Sequence, residues 1–287
     1  MNIKISILLF IALLSVSTSP IVAKSLYGVS AISISFWRMI IASLLLWFYS
    51  GIYSQGKMKL NSNIKRTIIA GILLGIHFAL FFGAIKLTTI ANATFLGTTA
   101  PIFTIIFEII ILKRTFNKYI SIGLIMTLMG SMIILGVDFN FSTNDTIGNV
   151  MAILCSLCLG IAFLISEKVR ETENTIVYTR TLYLTAAITL LCLGLMRGDN
   201  MLDYNLMEFS GLFYLGIVPT IIGHNSIYYA IKYVSPTIVA AFPVGEPIIA
   251  TILAYFIFSE SIYLHTVIGG TITIMGLIII ALKKKIK

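Results

Sequence analysis

Ten apolar runs, each long enough to cross a hydrocarbon layer about 30 Å thick, use up almost the whole of this 287-residue chain. They fall near 3–24, 29–50, 67–86, 88–112, 119–137, 147–166, 175–196, 209–231, 235–258 and 261–282, with loops too short to hold a soluble domain. Inside a bilayer every backbone polar group needs a partner within the protein, which leaves helices as the solution for runs of this length. The chain reads as an all-α polytopic membrane protein with ten transmembrane helices. A hydrophobic fraction of 58%, a charged fraction of 11% and a mean hydropathy of +1.01 lie far from soluble domains. The net charge of +9 does not mark a nucleic-acid partner, because the basic residues are scattered between apolar runs and form no single face. The first run begins like a signal peptide, behind Lys4. Yet Ser17-Thr18-Ser19-Pro20 interrupts it, hydrophobicity continues to Ala23 and no small-residue cleavage pattern follows, so it is expected to remain as a span.

The loops carry an orientation. With the N-terminus in the cytoplasm, the inner loops hold Lys4, Lys57, Lys59, Lys65, Arg66, Lys113, Arg114, Lys118, Lys168, Arg170, Lys232 and the tail lysines 283–285 and 287. The outer loops hold only Lys24, Lys86 and Arg197. That bias predicts a multi-pass protein of the cytoplasmic (inner) membrane with both termini cytoplasmic. The tail lysines read as a topology anchor that also touches anionic membrane lipid.

The chain repeats itself at an offset of 146 residues. AIKLTTIANATFLGTTAPIF (84–103) aligns with AIKYVSPTIVAAFPVGEPII (230–249), pairing Ala84 with Ala230, Lys86 with Lys232 and Pro101 with Pro247. At the same offset Gly123 falls on Gly269, Thr127 on Thr273 and Gly130 on Gly276. The halves are expected to be 1–140 and 141–287, five helices each. An odd number of spans per half inserts the two copies upside down, and the loops agree: KRTFNK (113–118) is basic, whereas its counterpart SESIYL (259–264) has no Lys or Arg. Two inverted five-helix repeats with polar groups near the midplane are the architecture of alternating-access transporters.

These stretches carry a family resemblance. FWRMIIASLLL in span 2, the two aligned segments, the Glu246-Pro247 pair, Glu260 at the end of span 9 and GGTITIMGLIII in the last span together resemble the EamA family of the drug/metabolite transporter superfamily. The resemblance covers essentially the entire chain. It implies a central cavity surrounded by spans 3, 4, 8 and 9 with parts of 1 and 6, and spans 5 and 10 outside it. One departure stands out: where the family pattern carries an acidic residue after span 4, this chain has Lys113-Arg114.

Glu246 is the strongest candidate site residue, a carboxylate halfway along a span and flanked by Pro243 and Pro247. It suits proton coupling or a cationic substrate group; the structural alternative is a glutamate bonded to backbone that the prolines free. His77 and His224 lie mid-span in repeat-related helices and suit a proton relay or hydrogen-bonded packing. Asn225 and Tyr228 follow His224, with Tyr228 one turn on along the same face. Asn92, Thr98 and Thr99 offer neutral donors and acceptors in span 4, either to a substrate or between helices. Arg38, nine residues into span 2, reads as a ligand for a substrate carboxylate or phosphate, as a snorkelling side chain, or as a structural ion pair or cap. Arg180 is expected to snorkel to the headgroups. Gly71-x-x-x-Gly75 and the matched glycines allow close helix approach, as a homodimer face or within the bundle. Cys155-x-x-Cys158 has redox or metal spacing, but without a second pair or a nearby His in sequence it reads as packing. No metal or cofactor is expected.

The function expected is secondary transport of small organic solutes, amino acids or related metabolites first and drugs as a wider class, with proton coupling through Glu246, His77 or His224. A passive facilitator is the alternative. No GxxxxGK[ST] loop supports ATP-driven pumping, and no HExxH, GxSxG or aspartate cluster supports a membrane-embedded enzyme.

Overall fold

The structure, a computed structural model, describes residues 2–88, 90–136, 143–258 and 262–282. The expected half-boundary at 140/141, Glu260 and the lysine tail lie outside the described residues. Within them the chain forms span 1 (Ile3–Ala23), span 2 (Ala31–Ile52), span 3 (Asn61–Leu87), span 4 (Asn92–Ile110) and span 5 (Lys118–Leu135). Then follow span 6 (Asp145–Arg170), span 7 (Thr175–Arg197), span 8 (Leu206–Ala230), span 9 (Pro236–Ile257) and span 10 (Leu264–Leu282). Spans 3 and 6 outrun their apolar cores. Span 3 begins at Asn61, six residues before the hydropathy edge, and span 6 continues to Arg170, because Lys65, Arg66, Glu167 and Lys168 are good helix formers that need not stop at the apolar boundary. Polar caps fix the starts: Ser30, Asn117 and Asn174 each accept a backbone N–H of the following turn, and Asn205 and Glu208 form a reciprocal capping box.

Proline divides the spans into two kinds. Pro20, Pro101, Pro219 and the Pro243/Pro247 pair fall at interruptions of spans 1, 4, 8 and 9, while Pro236 opens span 9. Spans 2, 3, 5, 6, 7 and 10 lack proline and are continuous helices. Span 4 breaks at Thr98–Thr99, and span 9 passes through a 3₁₀ turn at Pro243–Gly245 before Glu246. In span 8, Gly216–His224 is wound as a π-helix with Pro219 inside it. The interruptions of spans 1 and 9 are expected from the sequence reading; those of spans 4 and 8 are not, although Pro101 and Pro219 mark them.

Helix packing follows the repeat. Span 5 lies along span 10, span 2 along span 7, and span 4 meets span 9, each a pair of mutually related helices; span 3 on span 6 has its counterpart in span 8 on span 1. The seam between spans 5 and 10 shows the symmetry atom by atom. A Cβ on Gly123 would sit 2.8 Å from the Gly276 carbonyl oxygen and one on Gly276 would sit 2.5 Å from that of Gly123; Gly130 and Gly269 oppose each other at 2.6 Å both ways. The pairing runs antiparallel. Thr127 and Thr273 donate back to the carbonyls of Gly123 and Gly269 at 2.7 and 2.9 Å, so neither threonine hydroxyl is left bare in the seam. Gly71 and Gly75 are likewise spent inside the bundle, against Thr185, Ala186 and Thr189 of span 7. Gly71, Gly75 and the matched glycines of spans 5 and 10 therefore serve packing within the bundle.

Candidate functional site

A cavity of about 680 Å³ lies where spans 1, 2, 3, 4, 6, 8 and 9 meet. The interrupted spans all border it, as expected where irregular backbone is tolerated only around a protein-lined cavity. Span 2 is an addition to the expected set, through Ala31, Ile34 and Arg38; span 5 reaches it by Leu135, and span 10 supplies no lining residue among those described. The mouth lies at the end formed by Tyr27, Val29 and Lys86, where Tyr27 is 87% exposed. The cavity ends on Leu159, Phe163, Ile227 and Ala240, near the opposite end of the bundle.

Span 3 builds one wall. Phe78, Phe81, Phe82 and Ile85 recur at helical spacing and all line the cavity. Phe78 is the hub: the Arg38 guanidinium sits 4.5 Å over its ring, and His224 meets it edge-on with centroids 5.7 Å apart. Its neighbour His77 also lines the cavity, its Nδ1 3.0 Å from the Cys155 carbonyl oxygen and 3.3 Å from the Cys155 Sγ. The three cysteines are free thiols, and among the described residues no cluster could hold a metal.

Arg38 is only 2% exposed yet makes no ion pair among the described residues, so the structural ion pair is not what holds it. Instead Nε donates to Thr220 Oγ1 and Nη1 to Ser19 Oγ, both at 3.2 Å. Both acceptors come from helix interruptions. Thr220 belongs to the π-helical stretch and donates in turn to the Leu215 carbonyl at 2.8 Å; Ser19 lies at the break of span 1. Neutral hydroxyls fix the direction of the guanidinium without cancelling its charge.

Glu246 begins the second helical piece of span 9, where the helix N-terminus favours a carboxylate. It is half-buried, lines the cavity, and forms no hydrogen bond or ion pair among the described residues, so the backbone freed by the prolines does not tie it down. Arg38 acts on it electrostatically. The buried Nδ1 of His224 likewise has no hydrogen-bond partner.

The other candidates separate. Thr98 lines the cavity, its hydroxyl donating to the Thr94 carbonyl at 3.0 Å. Thr99 and Asn92 are buried outside the lining; the Thr99 hydroxyl is spent on the Leu96 carbonyl at 2.7 Å. Tyr228 lies one turn below His224, as its spacing required, but belongs to the packed floor with Phe163, Tyr178 and Tyr183. Asn225 turns away into a separate groove with Asn2, Lys4 and Tyr229. Arg180 does not snorkel: it is 6% exposed, stacks 4.1 Å over Trp47 and donates to Ser50 and the Gly56 carbonyl. Sequence reasoning missed the aromatic wall, although the stripe of Phe78, Phe81, Phe82 and Ile85 was there to read. It also missed Ser19 and Thr220 as partners of Arg38, although each stands beside a proline, Pro20 and Pro219.

Residues 3–136 and 146–282 match the EamA-like transporter family. An uncharacterized transporter from Archaeoglobus fulgidus is 25% identical over 293 residues and the match covers 99% of each chain. An uncharacterized transporter from Clostridium kluyveri is 28% identical over 78% of this chain and 74% of its own. The pseudopaline exporter CntI of Pseudomonas aeruginosa is 22% identical over 89% of this chain and 87% of its own. A crystal structure of a protein 18% identical in sequence superposes with a TM-score of 0.83 over 97% of this chain and 96% of that one, which shows a shared fold.

Proposed function

The chain belongs to the EamA-like transporter family, and from that premise we propose that it carries small organic solutes, amino acids or related metabolites, across the cytoplasmic membrane by alternating access between two inverted halves. One observation carries the choice of solute: Arg38 and Glu246 face the same cavity and, among the described residues, neither forms an ion pair and Glu246 forms no hydrogen bond. A zwitterion offers its carboxylate to Arg38 and its ammonium to Glu246, while Phe78, Phe81, Phe82 and Phe163 accept an apolar side chain. His224 Nδ1 is a further donor or acceptor for the solute.

Proton coupling runs through Glu246 in this reading, with His77 and His224 as the relay candidates beside it. A tenfold solute gradient costs about 1.4 kcal/mol, and one charge crossing 100 mV releases about 2.3 kcal/mol, so a single proton suffices. The name of the Pseudomonas relative favours export as the direction.

The test compares metabolites inside and outside cells that make the protein, its Glu246→Gln variant or neither, at two external pH values. A solute redistributed by the parent protein in a pH-dependent way, and at least about tenfold less or without pH dependence in the variant, is the expected result. Redistribution untouched by the substitution at both pH values instead favours a passive facilitator. No redistribution by correctly inserted protein removes this solute class.

A further inference from the structure

Beyond the cavity floor the bundle is fastened by charges that the transport reading leaves unused. Glu108, fully buried near the end of span 4, accepts through Oε1 from Arg114 Nη1 at 2.6 Å. Through Oε2 it accepts the backbone N–H and the hydroxyl of Thr237, at the start of span 9, at 3.0 and 2.5 Å. The same Arg114 nitrogen reaches Glu167 Oε2, near the end of span 6, at 2.8 Å. Among the described residues, the ion pair that reaches from one span to another, Arg114 to Glu167, shares its arginine with Glu108.

The chain bends sharply to make these contacts. Lys113 has φ +52°, in the left-handed region that is costly for a residue with a side chain, and the turn returns the Arg114 N–H to the Glu108 carbonyl at 2.9 Å. Residues held this way tend to collect at switch regions. The repeat holds no second copy of the device: the 146-residue offset maps Glu108 onto Ala254, Thr237 onto Ala91 and Arg114 onto Glu260. The mouth end therefore lacks the residue types to build it. Lys113-Arg114 is also where the chain departs from the acidic residue of the family pattern.

We propose that Arg114 is a gate-positioning residue: with Glu108, Glu167 and Thr237 it locks spans 4, 6 and 9 together at the end opposite the cavity mouth, and this lock parts for a solute to pass that end. The proposal rests on the transport reading, but its test needs no transport.

A single cysteine replaces Ile227 on the cavity floor, in a background without Cys155, Cys158 and Cys192. Membrane-impermeant maleimide is then applied to vesicles of either orientation. With the lock intact, labelling comes from the mouth side. In Arg114→Gln and Glu108→Gln, labelling from the locked side rises about tenfold, equivalent to about 1.4 kcal/mol of conformational bias. Thr237→Val, a milder change, gives a smaller rise, and Lys113→Gly, which suits the left-handed turn and leaves Arg114, Glu108 and Glu167 in place, labels like the parent. Locked-side labelling that stays at the parent level in all of the first three variants, each eluting as folded protein, overturns the lock. If labelling rises while no form moves any solute, the lock stands and the transport reading falls; if solute moves and labelling does not respond, the reverse holds.

Discussion

Spans 4 and 9 occupy related places in the repeat and each carries one carboxylate, but the protein treats the two in opposite ways. Glu108 is fully buried and saturated, with Arg114 on one oxygen and two donors of Thr237 on the other. Glu246 faces the cavity with no hydrogen bond or ion pair among the described residues. The first is a tie between helices; the second is a charge left over for something that arrives from solution. The contrast also distinguishes the two ends of the bundle, one fastened by ions and one open.

The largest effect expected is on stability. Glu108→Ala leaves the buried N–H and the hydroxyl of Thr237 without their acceptor and takes one of two carboxylates from Arg114, and should cost about 3 kcal/mol, the low end of the range for breaking a buried pair. Glu246→Ala removes no bond and should stay within about 1 kcal/mol. Thermal denaturation of the purified protein in detergent measures both, and equal losses would erase the distinction between tie and free charge. A middle-sized effect belongs to the seam of spans 5 and 10. Gly276→Ala puts a methyl 2.5 Å from the Gly123 carbonyl and should cost about 1–3 kcal/mol by overpacking, without moving the pH dependence of transport. A pH shift in that variant would mean that the seam and the cavity are coupled. The smallest effect is at Asn225→Ala. Because Asn225 faces the separate groove, solute redistribution should stay within about twofold of the parent; a large loss would bring that groove into the solute path.

The lock is not expected to open by titration of its arginine. Burial opposes the Arg114 charge, but hydrogen bonds and attraction from Glu108 and Glu167 outweigh it and hold the pKa above the ordinary arginine value. Arg114 therefore stays charged throughout the physiological range.

How far the site could be read beforehand differed by residue. Depth along a span follows from counting, and counting placed Arg38, His77, His224, Thr98 and Glu246 at levels where all five do line the cavity. Azimuth does not follow from counting alone. Asn92 and Thr99 precede or meet the break of span 4, and Asn225 follows the π-helical stretch of span 8, so small changes of winding decide which neighbour each one faces. Arg114 read as one more inner-loop cation and, with Lys113, as a departure from the family pattern, but not as a tie between spans. Its partners lie six and fifty-three residues away, and the left-handed turn at Lys113 that joins them carries no glycine to announce it.

By itself the sequence determined the material and the plan: ten membrane-length helices, because apolar runs of that length have no other way to satisfy their backbone, and a duplication, because matched Gly, Pro, Lys and Thr at one offset survive in a chain otherwise rich in interchangeable aliphatic residues. Only the tertiary structure decided which polar groups are spent and which are left over. Burial cost depends on the partner a group finds across helix boundaries, and such partners are distant in sequence. Glu108 and Glu246 look alike as letters in apolar runs; three donors distinguish them in space.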